Sequence, residues 1–203
     1  MTKFLVAALG VAMSVTAVAA QAQTAPVEPT KKNPVRFEAI GQNLQGGMMG
    51  RIDIVIERWS TDPERQVLAD MLAGTTDKSR DQDKLRDKLQ DVEPRTGYIR
   101  TPNSMGWDLK YARENTLADG TKQIVIATDK PISFFAARNM TRTNDYPFSV
   151  IEMRFAPGSP KGEGKLLAQT NVSVKDGHLQ LEIYGQEPTR LTTITRKDPK
   201  PKK

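Results

Sequence analysis

Apolar and polar positions alternate with period two along most of this chain. Ile52, Ile54 and Ile56 fall on one face of the run Arg51–Trp59, with Asp53, Val55 and Glu57 on the other. That spacing predicts a half-buried strand. Val35, Phe37 and Ala39 against Arg36 and Glu38 predict another over 35–40. The glycine-rich Gly41–Gly50 reads as the turn between them. Trp107, Leu109 and Tyr111 alternate with Asp108 and Lys110. In Lys122–Thr128 the run Ile124-Val125-Ile126 is unbroken, which predicts burial on both faces. The loop 115–121, with Asp119-Gly120, joins these two segments as a hairpin. Pro147–Phe155 is a further strand. Gly162–Gly164 precede a long one over Lys165–Val174, and Arg190–Thr195 is the last. Ser133–Met140 fits either one helical turn or an irregular plug.

The most specific local signal is Asp176-Gly177. Asp-Gly favours a type I′ turn, in which both central residues take positive φ. A two-residue loop there pairs Lys175 with His178, Val174 with Leu179, Val172 with Leu181 and Thr170 with Ile183. The last three pairs share one face, so register and hydrophobic pattern agree.

The period changes only over 61–93. Thr61-Asp62-Pro63-Glu64 is a capping box with proline in the first turn. Val67, Leu68, Met71 and Leu72 follow at helical spacing, and Gly74 can end the helix. Ser79–Val92 forms a second, very polar helix with Leu85, Leu89 and Val92 as a narrow stripe. Glu93-Pro94 stops it. Such a charged helix is either a solvated surface helix or a partner-binding one. Nine strands with an early helical pair predict a mainly β fold. The architecture expected is an antiparallel β-sandwich or open barrel of about nine strands, with the inserted helices covering one end.

Residues 1–22 change the picture of where the protein acts. Lys3 precedes an apolar stretch, and Ala20-Gln21-Ala22 fits the small-x-small rule of a secretory signal peptide. Val18-Ala19-Ala20 is a second candidate. Cleavage after Ala22 leaves 23–34 as a flexible, Pro-containing leader, 35–195 as a single β-rich domain, and 196–203 as a basic disordered tail. No later segment has the length of a transmembrane helix, so a periplasmic or secreted location is expected.

The net charge of +6 belongs to the ends. Lys3 contributes one charge, the leader one and the tail four, which leaves 34–195 neutral. The pI of about 9.5 therefore gives no argument for nucleic-acid binding. The tail points to weak contact with an anionic surface, or only to solubility.

The chain has no cysteine and one histidine, His178. Thiolate chemistry and His/Cys zinc sites are excluded by count, and no cofactor or metal site is expected. His178 at a turn beside Lys175 is a poor general base. The acids Asp53, Glu57, Asp108, Glu114, Asp129, Asp145 and Glu152 are spread over strands. Paired carboxylates can hydrolyse glycosides, but alternating acids on strands equally form the solvent face of a sheet. Trp59 reads as core between strand and helix, or as a stacking surface.

Two loops combine arginine, amide donors and an aromatic, a set suited to gripping an anionic or sugar-like group. The first is 100–107, with Arg100, Asn103 and Trp107. The second is 138–146, with Arg138, Asn139, Arg142, Asp145 and Tyr146. Both also read as ordinary turns.

The runs Ile52–Asp62, Gly97–Arg113, Ile124–Asn139, Asp145–Arg154 and Gly162–Leu166 together resemble a family of uncharacterised exported bacterial proteins. The resemblance implies a bacterial, exported, single-domain protein and brings no catalytic residue or cofactor. The expectation is a non-catalytic binding or interaction module of the cell envelope, with an unknown small ligand or an envelope protein as partner. The alternative is a carboxylate-dependent hydrolase acting on an envelope or extracellular substrate.

Overall fold

The computed structural model describes residues 27–43, 47–73, 79–102, 104–132, 147–175, 178–183 and 187–200. The segment 1–22 expected to be a signal peptide, the stretch Ser133–Met140 and the turn Asp176-Gly177 lie outside the described residues. The strands are β1 (Val35–Asn43), β2 (Met48–Ile56), β3 (Gly97–Arg100), β4 (Trp107–Leu109), β5 (Tyr111–Thr116), β6 (Lys122–Thr128), β7 (Phe148–Phe155), β8 (Lys161–Lys175), β9 (His178–Ile183) and β10 (Thr189–Lys197). Helices α1 (Asp62–Ala73) and α2 (Ser79–Gln90) fall between β2 and β3.

Nine strands run in the order β4-β3-β2-β1-β10-β8-β7-β6-β5, and β9 pairs with β8 off this path. All these pairings are antiparallel. The sheet is mainly β as expected, and it curls into a nearly closed barrel. The β8–β9 hairpin has the register that Asp176-Gly177 dictates, from Lys175 opposite His178 to Thr170 opposite Ile183.

The two ends of the path are consecutive in the chain, and this closes the sheet. β4 pairs with β3, and β5 pairs with β6. The alternation over 107–111 suggested one strand. The chain instead bends at Lys110, because its two halves serve different partners. Lys110 N donates to Ala127 O at 3.0 Å. Ser60 N donates to Ala112 O at 2.8 Å, and Ala112 N donates back to Ser60 Oγ at 3.1 Å. The chain leaving β2 is thereby stitched to β5.

The apolar residues form two layers. Inside the barrel, Phe37, Ile54, Ile99, Leu109, Ile124, Ile126, Met153, Phe155 and Leu191 pack with others in one buried cluster. The Phe37 and Phe155 rings lie 5.7 Å apart, tilted at 41°. On the outside, Phe148, Val150, Leu167 and Val172 form a second cluster with Leu85 and Leu89 of α2. Val125 and Ala127 face this outer layer, while Ile124 and Ile126 face inward, so β6 is covered on both sides. The helices therefore cover an outer face of the sheet rather than one end. The sheet leaves apolar side chains outside there, and only a second layer can bury them.

Several boundaries differ from the sequence reading. The expected turn Gly41–Gly50 is shorter, because β1 runs to Asn43 and β2 starts at Met48. Gly162 and Gly164 lie within β8 rather than before it. A Cβ on Gly164 would stand 2.3 Å from Glu152 O, so only glycine lets β8 approach β7 there.

The described residues just outside 34–195 make contacts within the fold. Arg196 and Lys197 close β10 opposite Phe37 and Arg36. Asn33 Nδ2 donates to Lys200 O at 2.7 Å, and Lys200 N donates to Asn33 Oδ1 at 2.9 Å. That pair ties the end of the leader to the start of the tail. Arg196 pairs with Glu114 and Asp198, and Lys197 with Glu38. Two of the five tail bases are thus neutralised within the fold.

Candidate functional site

The helical pair is seated by charged contacts at its ends and by apolar contacts along its length. The capping box forms as predicted. Glu64 N donates to Thr61 Oγ1 at 3.3 Å, and Thr61 N donates to Glu64 Oε2 at 2.7 Å. Arg58, just past β2, holds Glu64 with both terminal nitrogens, at 2.8 and 2.9 Å, and also donates to Pro94 O. The guanidinium of Arg58 lowers the Glu64 pKa below its ordinary value. At the other end, the buried Lys110 ammonium donates to Gln90 O at 2.9 Å, Val92 O at 3.3 Å and Glu93 Oε1 at 3.0 Å. It thus supplies the last carbonyls of α2 with a cation. Far from being merely solvated, α2 is clamped to the barrel.

Under these helices lies an apolar slot of about 220 Å³. Leu68 and Leu72 of α1 roof it, Leu85 and Leu89 of α2 flank it, and Val125, Phe148, Val150 and Val172 of the sheet form its floor. No residue of α1 is fully buried, so its apolar stripe rests on the slot without filling it. Among the described residues lining the slot there is no acid. Its polar members are Arg65 and Tyr111. Neither side chain makes a hydrogen bond or ion pair among the described residues. Burial raises the Tyr111 pKa, while the nearby Arg113 and Arg65 guanidiniums oppose that rise.

A second, larger recess of about 1280 Å³ opens at the barrel end where Val35, Trp59, Phe155 and Pro160 lie. Most of its charges are spent on one another. Arg113 pairs with Asp62 at 2.7 Å. Lys122 Nζ donates to Glu114 Oε1 at 2.5 Å. Arg196 Nη1 sits 2.8 Å from Glu114 Oε2, and Arg196 Nε donates to Asp198 Oδ1 at 2.6 Å. The Nη1 contact is an ion pair without hydrogen-bond alignment, since that buried nitrogen has no hydrogen-bond partner. Trp59 packs against the inner core, which is the core reading of that residue.

Arg100 and Trp107 of the first arginine-bearing loop are not brought together. Trp107 lies opposite Ile99 and packs against the interior cluster. Arg100 is exposed on the outer face, over the Tyr98 ring at 5.6 Å and 3.9 Å from Asp53. The two side chains stand on opposite faces of the sheet, because Arg100 follows the inward Ile99. Asn103, Arg138, Asn139, Arg142, Asp145 and Tyr146 lie outside the described residues.

The strand carboxylates are mostly held by cations or amides. Glu57 and Asp108 share Arg95, Asp53 meets Arg51, and Glu152 accepts from Gln123 and Arg154. Asp129 is buried at the end of β6, where Thr128 Oγ1 approaches at 3.3 Å. Burial works to raise the Glu152 pKa, but its hydrogen bonds prevail and lower it. The Lys197 hydrogen bond lowers Glu38, and the Thr121 backbone N–H lowers Asp119. Among the described residues no group of three or more His, Asp or Glu side chains is placed to hold a metal, and no helix is long and apolar enough to cross a membrane.

Compared with family models, curated proteins and solved structures, the chain finds no match. The slot residues Arg65, Tyr111, Val125 and Val150 were not singled out from the sequence. The signal for them was the unbroken Ile124-Val125-Ile126 run, which called for a second apolar layer outside the sheet.

Proposed function

We infer that this chain is an exported, non-catalytic binding module of the bacterial cell envelope, periplasmic or secreted, that holds a small apolar ligand. The apolar slot beneath α1 carries the reading. It is a recess between two layers, lined by aliphatic and aromatic side chains with few polar groups, as small-molecule sites are. Export rests on the pattern of residues 1–22. Among the described residues the carboxylates whose pKa is displaced are all lowered from their ordinary values, so they act as charged partners rather than as proton donors held ready.

The test is fluorescence of 1-aminonaphthalene, a small two-ring probe, titrated with the mature chain. Saturable enhancement is expected, and Ala127→Leu, which extends into the slot, should abolish it with unchanged circular dichroism. Absence of enhancement in the unmodified chain would overturn the reading. Enhancement that survives Ala127→Leu would move the ligand out of the slot.

A further inference from the structure

We propose that the slot beneath α1 takes a single-chain amphiphile with a carboxylate head, its chain among the slot's apolar side chains and its head against Arg65 and Tyr111. The inference rests on the binding-module reading above and names its ligand class.

The first argument is shape. A space of about 220 Å³ holds about seven carbons at the liquid-like share of roughly 30 Å³ per small group. That fits a stretch of alkyl chain or a flat two-ring probe, and is too small for a larger ring system. The floor and roof offer only hydrocarbon contact, from Leu68, Leu72, Leu85, Val125, Phe148 and Val150. Each methylene removed from water adds to the binding, so a chain binds there without polar help.

The second argument is charge. Three cations beside the helical pair are committed: Arg58 to Glu64, Arg113 to Asp62, Lys110 to Glu93. The acids of the first turn of α1 are consumed in the same pairs. Arg65 has no guanidinium partner among the described residues, and it lines the slot from an exposed position. The Tyr111 hydroxyl beside it has no partner among the described residues either. An exposed cation and a free hydroxyl at the rim of a hydrocarbon recess complement an anionic head on an apolar chain. A neutral apolar ligand would use the slot and leave both groups idle. A polar anion would use the rim and leave the slot empty.

The experiment compares decanoate with 1-decanol, which has the same chain and no charge. Methyl-labelled mature chain reports binding through the Leu68, Val125 and Val150 resonances. Both ligands should shift these methyls saturably, with decanoate binding about fivefold more tightly, the scale of one exposed charge pair. Arg65→Gln should remove that preference and leave 1-decanol unchanged. Tyr111→Phe should reduce the preference in part. Equal affinities for the two ligands, or an Arg65→Gln variant that weakens both alike, would overturn the carboxylate head while leaving an apolar-binding module standing. If neither ligand shifts the slot methyls, the binding-module reading falls with it. If the methyls shift with protein concentration alone, a second copy of the chain covers the slot and the amphiphile proposal is overturned.

Discussion

Gln82 meets Val172 as one strand meets another. Gln82 Nε2 donates to Val172 O at 2.7 Å, and Val172 N donates to Gln82 Oε1 at 3.1 Å. β8 outruns β7, whose first residue Phe148 lies opposite Thr170. Val172 therefore has no β7 partner, and its backbone would present an open edge. The Gln82 side chain supplies both a donor and an acceptor there, at 1% exposure. One amide fixes α2 over the outer cluster and blunts a strand edge.

Replacing Gln82 with Leu leaves two buried backbone groups unpaired, each of which carries a desolvation cost of about 1–3 kcal/mol. Gln82→Leu should lower stability by about 2–6 kcal/mol in urea titrations. Exchange of the Val172 amide hydrogen should quicken more than that of the barrel amides. An unchanged midpoint would show that α2 is held by its leucines alone.

Lys110→Met keeps the aliphatic stem but removes the cation shared by Gln90 O, Val92 O and Glu93. The expected cost is about 1–3 kcal/mol, because the last carbonyls of α2 lose a charged donor. Helical circular dichroism should fall before the β signal during unfolding of the variant. Coincident loss of both signals, at the unmodified midpoint, would contradict this role.

The Arg58–Glu64 pair sets a pH dependence. Its Glu64 pKa is lower in the folded chain than in the unfolded one. The unfolded state therefore takes up a proton first, and the pair's stability is complete above the unfolded carboxyl range near pH 4.3. It is lost as pH falls through the folded value. The stability gap between the unmodified chain and Glu64→Gln should be constant from pH 7 to about pH 5 and shrink below about pH 4. Urea titrations at these pH values measure it, and a gap that persists at low pH would exclude Glu64 as its source.

The pattern Ala20-Gln21-Ala22 predicts Gln23 as the first residue of the native protein. Mass spectrometry of the chain purified from its native source checks this. An intact Met1 would remove export from the account of its function.

Features encoded within a few residues could be read from the sequence. Asp176-Gly177 sets the β8–β9 register because a two-residue turn leaves no freedom of pairing. Thr61 and Glu64 mark the start of α1 because both halves of a capping box lie within one turn. The unbroken Ile124-Val125-Ile126 run announced apolar cover on both faces of β6. The tertiary structure decided what depends on partners far apart in the chain. The bend at Lys110 follows from β3 and β6 competing for neighbouring segments, which no local periodicity records. Arg100 and Trp107 part to opposite faces because the β3–β4 pairing sets Trp107 across from Ile99, and the spacing of the loop leaves that register open. The slot exists only because α1 and α2 lie over four strands whose outer side chains meet them across the fold. Its rim chemistry depends on which charges find partners, and pairing is settled by distance in space rather than along the chain.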